Sequence, residues 1–358
     1  MFESTHIFAA ISKKGSCAQI TPAKIALWYG GAQAATSLTF DDALPSQYKH
    51  LVPLLGTFGF RATFFLNTEQ LLKKRKNAWN QSIRCWPQWQ RVYDLGHELG
   101  SHTVNHPDMR KLSRAKLQSE LRDSCRTIFQ FIPKAECFTL AYPYGASNRF
   151  VRKETQRWYL AARAAKHRVA SHTPRDMMNI PSVTPFRKTS RTKMLRWIRQ
   201  SLRRRGWLVW MFHGTRGQGW EALPLSTYRF IFRQLQQRQS VFWNAPFGEI
   251  AKYISLRRRL RLSHKKTAQG WSIQIRWRSS SPQIKPRFLR QAWSTTPLTL
   301  MLRIPQASRR TLRIQQAGKA ILPLKSRIRG CRQQIWFNVR LSKEPISIAL
   351  STTHQDRQ

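Results

Sequence analysis

Apolar and polar positions follow two different rhythms along the chain. Between residues 34 and 254, short apolar and β-branched runs alternate with stretches whose apolar positions recur every three or four residues. Residues 35–40 make the first run and end at Asp41-Asp42. Residues 61–66 make the second, and Tyr48, Leu51, Leu54 and Leu55 mark a helical stretch between them. Residues 96–100 predict a third strand that exits through Ser101-His102. Residues 107–131 predict a helix, with Leu112, Leu117, Leu121, Ile128 and Phe129 near helical spacing and Ser113 available as N-cap. Residues 137–142 and 207–212 predict further buried strands. Strands separated by helices imply a parallel sheet or barrel, in which function gathers at the carboxyl ends of the strands.

After Tyr253 the period changes to two. Trp271, Ile273, Ile275 and Trp277 share one face of a strand, and Leu298, Leu300, Leu302 and Ile304 repeat the pattern. Ile335, Phe337, Val339 and Leu341, then Ile346, Ile348 and Leu350, continue it, which predicts a small antiparallel β domain of sandwich type. The expected organisation is an N-terminal extension over 1–33, an α/β domain over 34–256, a basic Gly-terminated linker over 257–270 and the β domain over 271–358. Trp271, Trp277, Trp293 and Trp336, interleaved with arginines, could form a sugar-stacking platform, although the alternation turns Trp271 and Trp277 toward the core.

Composition narrows the function. The 358 residues carry 63 Lys+Arg against 16 Asp+Glu, a formal net charge of +47, with an ordinary hydrophobic fraction of 41%. A surface this basic attracts phosphate backbones, yet no nucleic-acid-binding motif is present. No apolar run approaches the ~18 residues that a membrane span needs. The five cysteines form neither a zinc spacing nor a disulfide framework; buried thiols are expected, and a Cys125–Cys137 bridge has no support in the sequence. The apolar segment 7–11 is shorter than the ~7–15 residues of a signal peptide core, so there is no clear export signal. Either the protein is cytoplasmic or the signal is omitted or obscured.

With so few carboxylates, their one adjacent pair, Asp41-Asp42, stands out. Two like charges side by side are costly unless a cation sits beside them. Two other strand ends carry matching chemistry: Ser101-His-Thr-Val-Asn-His106 and Met211-Phe-His-Gly214. His102 and His106, four apart, can meet one ion from a helical turn or a tight loop. One added carboxylate completes a face of two imidazoles and one carboxylate on a metal, with open positions for water and substrate. The second Asp then stays free as a base, and His213 supplies a proton, the minimum set for metal-assisted hydrolysis. The competing readings are a solvated histidine face, an Asx turn or helix cap at the Asp pair, and a structural His213.

These residues resemble the polysaccharide deacetylases, the NodB-homology domain, over about residues 34–254. Leu-Thr-Phe-Asp-Asp-Ala and Ser-His-Thr-Val-Asn-His-Pro look like the first two family motifs, Ala141-Tyr-Pro-Tyr-Gly145 the third and Met211-Phe-His-Gly214 the last. Residues 241–253 resemble the closing segment of many relatives. The resemblance implies an α/β fold, a distorted (β/α) barrel of fewer than eight strands, and removal of acetyl groups, N-linked by expectation, from a polysaccharide or oligosaccharide. It implies that Asp42, His102 and His106 bind zinc or another divalent ion, that Asp41 deprotonates the attacking water, and that His213 protonates the departing amine. The N–H of Tyr144, between Pro143 and Gly145, would hold the oxyanion. Trp220 would wall the acetyl or sugar pocket, or else be a core tryptophan. The implied partner is an acetylated glycan, with an anionic cell-envelope polymer as a further one, and the implied location is extracytoplasmic, periplasmic or secreted.

Two departures matter. The third family motif often opens with an Arg that pairs with the base; Ala141 stands there, leaving Arg61 or Arg163 as substitutes. The acid that orients His213 is Asp176 or Glu249, with Asp176 preferred. A non-haem iron oxygenase fits poorly, because its Asp and first His usually lie within two residues. A phosphatase using two aspartates one residue apart fails on spacing. The remaining alternative is a catalytically inactive module of the same fold that binds anionic polymer through its basic surface.

Overall fold

The computed structural model describes residues 21–72, 86–267, 270–277, 298–305, 310–316, 319–320, 325–329, 332–339 and 346–352. They divide into two compact units. Ala32–Ile254 forms one, and the described residues before and after it form the other.

The chain runs through β1 (Thr21–Ile25) into β2 (Ala34–Asp41), the first strand of the first unit. Every residue of β2 is buried, as expected of a strand covered on both faces. It is followed by α1 (Val52–Thr57), β3 (Thr63–Leu66), α2 (Thr68–Leu72), α3 (Trp86–Asp94), β4 (Glu98–Ser101), α4 (Arg114–Phe131), β5 (Thr139–Ala141) and α5 (Arg149–Thr155). Then come β6 (Ala161–Ala165), β7 (Ile180–Ser182), α6 (Arg191–Arg204), β8 (Trp207–Phe212), α7 (Leu225–Gln236), β9 (Phe242–Asn244) and α8 (Phe247–Arg259). The strands pair in the order β7-β6-β5-β4-β3-β2-β8, all in parallel, and β9 adds to the first half of β2. Beyond β7, Val183 N–H donates to Val209 O at 2.8 Å and Met211 N–H to Val183 O at 2.9 Å. These bonds bring the last strand back to β8, so the sheet is nearly closed into a (β/α) barrel. All strand ends that carry the singled-out chemistry therefore open on one rim.

The helix expected over 107–131 starts later. Asp108 caps a separate short turn at Met109–Lys111, and Ser113 caps α4 through a bond from Lys116 N–H at 3.4 Å. Leu117, Leu121 and Ile128 are buried, but Phe129, one position round the helix from Ile128, is 58% exposed. At the opposite end of the barrel Glu98 ties four elements together. Its carboxylate accepts from Thr63 Oγ1 (2.7 Å), Thr139 Oγ1 (2.6 Å) and Gly248 N–H (2.7 Å), so it also caps the start of α8. Burial pushes this carboxyl above the usual carboxylate range, against those three hydrogen bonds and the Lys252 ammonium.

The second unit contains two antiparallel sheets. One, β1-β12-β16-β15, uses β12 (Leu298–Pro305), β15 (Lys325–Arg329) and β16 (Arg332–Val339). The other, β10-β11-β17-β13-β14, uses β10 (Leu260–Thr267), β11 (Gly270–Trp277), β13 (Arg310–Gln316), β14 (Lys319–Ala320) and β17 (Ile346–Thr352). Leu298, Leu300 and Leu302 are buried as their alternation predicts, with Ile335 and Val339 from the neighbouring strand. The basic stretch 257–270 is not a linker: it finishes α8 and builds β10, registered residue for residue from Leu260↔Trp277 to Thr267↔Gly270. The described end of the N-terminal segment is likewise a strand, with Lys24 opposite Met301 and Ile25 opposite Leu300. Trp293 and the side chains of Trp271 and Trp277 lie outside the described residues. Cys125 and Cys137 are free thiols, and Cys125 Sγ donates to Cys137 O at 3.0 Å. No helix among the described residues is long and apolar enough to cross a membrane.

Candidate active site

Asp41 is the last residue of β2, and its side chain is almost fully buried. On an extended chain Asp42 would face the opposite way. Its left-handed conformation (φ 75°), followed by Ala43 (φ 50°), breaks that alternation. Both carboxylates then converge on one histidine: His213 Nε2 lies 3.9 Å from Asp41 Oδ2 and 3.9 Å from Asp42 Oδ2. Gln47 ties the two strand ends together, donating through Nε2 to Asp41 O at 2.5 Å and to His213 O at 3.2 Å.

His102 and His106 sit on the loop after β4, not on a helix. Thr103 (φ 67°) and His106 (φ 57°) are left-handed, a strain of the sort that gathers at functional sites. His102 Nδ1 is 2.8 Å from the Ala141 carbonyl, which fixes its proton there and leaves the Nε2 lone pair facing the cluster. Burial pushes the imidazole down to about 4, so it is neutral at physiological pH, as a ligand must be. Its Nε2 is 3.7 Å from Asp42 Oδ1, and His106 Nε2 is 3.8 Å from the same oxygen. The three donor atoms of Asp42, His102 and His106 all lie within 4.8 Å of one another. This donor set of two imidazoles and one carboxylate fits a divalent ion.

Arg163, fully buried on β6, makes an ion pair with Asp41 Oδ2. Its guanidinium carbon also stands 5.4 Å from the Phe65 ring centroid. Burial alone would push the Asp41 carboxyl up. The Arg163 guanidinium, with His102 and His213 beyond it, more than offsets this and holds the carboxyl below its ordinary range. Asp41 Oδ1 is buried with no hydrogen-bond partner among the described residues, so one oxygen of the ionised carboxylate is left to accept a proton. Of the two substitutes for the missing motif arginine, the structure selects Arg163; Arg61 pairs with Glu249 at 2.9 Å instead.

Sequence reasoning missed Glu120. From α4 its Oε2 accepts the N–H groups of Val104 (2.8 Å) and Asn105 (3.0 Å), while Oε1 accepts Asn105 Nδ2 at 2.7 Å. One carboxylate thus holds the middle of the His102–His106 loop. The only signal was an acidic residue on the apolar side of a predicted helix, where burial demands partners.

The expected partner of His213 is not found. Asp176 bonds Arg152 Nε at 3.1 Å and Met178 N–H at 2.8 Å, and Glu249 pairs with Arg61; neither reaches His213. The loop that carries Asp176 turns back onto α5, so its carboxylate serves that helix. His213 is instead flanked edge-on by Trp220, with ring centroids 5.2 Å apart. Trp220 is 51% exposed, which makes it a wall of the rim and not a core residue. Across the cluster, Pro143 is buried, Tyr144 (φ 58°) is 70% exposed, and its ring lies 4.7 Å from His106. Gly145 (φ 64°) presses against β6, where an added Cβ would come within 2.3 Å of Ala165 Cβ.

Fold and site together define a nearly closed parallel (β/α) barrel with a two-histidine, one-aspartate cluster and a paired second aspartate on its carboxyl rim. Residues 31–163 match the family described as Polysaccharide deacetylase. A gellan lyase of Bacillus sp. is 32% identical over 158 residues, covering 44% of this chain and 6% of that one. The peptidoglycan-N-acetylmuramic acid deacetylase of Bacillus subtilis is 28% identical over 129 residues, covering 34% of this chain and 42% of its own. The chain thus spans less than half the length of either relative. Among solved structures, a Mycobacterium smegmatis protein assigned to the polysaccharide deacetylases superimposes with a TM-score of 0.51. It is 12% identical, and the match covers 67% of this chain and 96% of that one, which supports the same barrel fold.

Proposed function

We propose that the protein is a metal-dependent hydrolase that removes acetyl groups, N-linked in the first instance, from an acetylated polysaccharide of the cell envelope, working outside the cytoplasm. The observation that carries this reading is the convergence of the Asp42, His102 and His106 donor atoms within 4.8 Å of one another, beside a buried carboxylate with an open oxygen. Those three residues would hold the ion, zinc by preference. A divalent ion there supplies Lewis-acid charge that polarises the acetyl carbonyl and acidifies a water.

The chain's own groups do the rest. Asp41 takes the proton of the attacking water on Oδ1, while Arg163 keeps the carboxylate ionised and fixed through Oδ2. His213, within 4 Å of both aspartates, gives a proton to the leaving nitrogen. The N–H of Tyr144, presented by its left-handed backbone, donates to the developing oxyanion. A module kept only to bind anionic polymer has no use for the buried Arg163–Asp41 pair, whose desolvation is costly.

The test is metal analysis together with acetate release from a panel of N- and O-acetylated glycans. Bound divalent metal, with acetate released from at least one glycan and lost in Asp41→Asn, is the expected result. Metal bound with no acetate from any of them would overturn the reading.

A further inference from the structure

The rim carries a second feature that starts at His213 and Trp220 of the proposed deacetylation site and runs beyond it. From His213, aromatic rings follow one another along the exits of three successive strands. Trp220 lies 5.2 Å from His213, Phe186, beyond the end of β7, lies 5.6 Å from Trp220, and His167, beyond the end of β6, lies 5.5 Å from Phe186. Trp220 and His167 are exposed and Phe186 is half-buried, so the ridge leaves aromatic surface in water that a folded chain would ordinarily cover. His167 holds a left-handed backbone (φ 44°), which sets its ring on this line.

Cations accompany the ridge. Lys166 adjoins His167, and Arg187 and Lys188 follow Phe186; all three are exposed. Arg187 is anchored beside Trp220: its Nε donates to Ala222 O at 3.1 Å and its N–H to Glu221 Oε2 at 2.8 Å. Among the described residues its terminal guanidinium nitrogens have no bonding partner, which leaves them for a ligand. The adjacent acid Glu221 is already engaged by that backbone N–H.

We propose that this ridge is an extended glycan subsite, and that Lys166, Arg187 and Lys188 make it select sugar units bearing a carboxylate. The flat apolar faces of pyranose rings suit the aromatic line, and a fixed guanidinium suits a carboxylate. The inference rests on the deacetylase reading for the adjoining subsite, but binding can be measured without turnover.

The test is calorimetry on the full-length, zinc-treated chain at physiological salt, with two hexasaccharides. One is all N-acetylglucosamine; the other alternates N-acetylglucosamine with glucuronate. The wild type binds the uronate-containing sugar about tenfold tighter. Arg187→Gln/Lys188→Gln brings the two within about twofold of each other, and Phe186→Leu weakens both by about tenfold. The double substitution Arg196→Gln/Arg199→Gln, on the exposed face of α6, leaves the preference intact. No preference in the wild type, or a preference erased equally by the α6 variant, overturns the proposal, because attraction would then come from the net charge alone. Preference that follows Arg187 and Lys188 without acetate release would keep the subsite and sink the deacetylase reading.

Discussion

Ala141 of β5 and Arg163 of β6 stand side by side in the parallel ladder. Registered partners on neighbouring strands project to the same face of a sheet, so a guanidinium carried one strand over still reaches Asp41. The arginine that is absent at Ala141 is therefore supplied from the neighbouring strand, and Asp41, the proposed base, is paired.

Arg163→Ala removes one half of a fully buried ion pair, which should destabilise the fold by about 3–5 kcal/mol. Acetate release should fall with it, since the Asp41 carboxylate loses the charge that keeps it ionised against burial. Adding Ala141→Arg to that variant should restore part of both. Urea unfolding and acetate assays on the three proteins check this; a single variant as stable and active as the wild type would remove Arg163 from the site.

Glu120 holds the loop of the two proposed metal ligands, His102 and His106, without touching their imidazoles. Glu120→Gln keeps one oxygen for the Val104 and Asn105 N–H groups but sets an NH2 group against Asn105 Nδ2, so the His102–His106 loop loses a fixed hydrogen bond and the carboxylate charge that holds it. Metal affinity should drop about 10–100-fold, as for other outer supports of metal ligands, with near-wild-type stability of the metal-free protein. Competition against a chromogenic chelator measures it. Unchanged affinity would reduce Glu120 to a loop anchor with no bearing on the ion.

These two residues also mark where the sequence stopped being legible. Asp41, Asp42, His102, His106 and His213 could be read because scarce residue types fell at the ends of apolar runs. Arg163 could not, since its role depends on strand register and 63 basic residues hide it. Glu120 contacts a loop 15 and 16 positions back, a distance that no local pattern encodes. Asp176 is preferred over Glu249 because Glu249 lies in a segment that reads as structural, yet the Asp176 loop folds toward Arg152. Cationic residues between Leu260 and Thr267 masked a strand whose register is set by β11, and β1, only five residues long, has its partner more than 270 positions away.

Gly145 and Gly217 form a natural comparison on the rim. Both have positive φ, 64° and 77°, so Ala at either should cost about 1 kcal/mol in backbone strain. At Gly217 nothing lies within 4 Å of the new Cβ, whereas at Gly145 it meets Ala165 Cβ at 2.3 Å. Gly145→Ala must therefore push the Tyr144 loop away from β6, with a further loss of stability and a lower kcat, while Gly217→Ala keeps its activity. Equal behaviour of the two variants in thermal unfolding and acetate release would show that the loop yields freely.

His97 gives the fold a sensitivity to acid that is independent of the Asp42–His102–His106 cluster. Its buried ring accepts the Ala62 N–H at Nδ1 (3.0 Å) and lies 5.5 Å from the Phe64 ring. Burial, with the nearby Arg61 charge, pushes its pKa down to about 4 from an ordinary 6.5. Because the folded state resists protonation, the unfolded chain binds more protons between those values. The stabilisation is complete above about pH 6.5 and is lost as pH falls toward about 4, amounting to about 3 kcal/mol over the window. Gln at this position does not titrate, and its amide oxygen can accept the same N–H. Urea unfolding of the wild type and His97→Gln at pH 7.5 and 4.5 should give a fall in stability that is smaller in the variant by roughly that amount. His102, shifted in the same direction, is common to both proteins and cancels in the comparison, so parallel pH slopes would show that His97 is not held neutral by its burial.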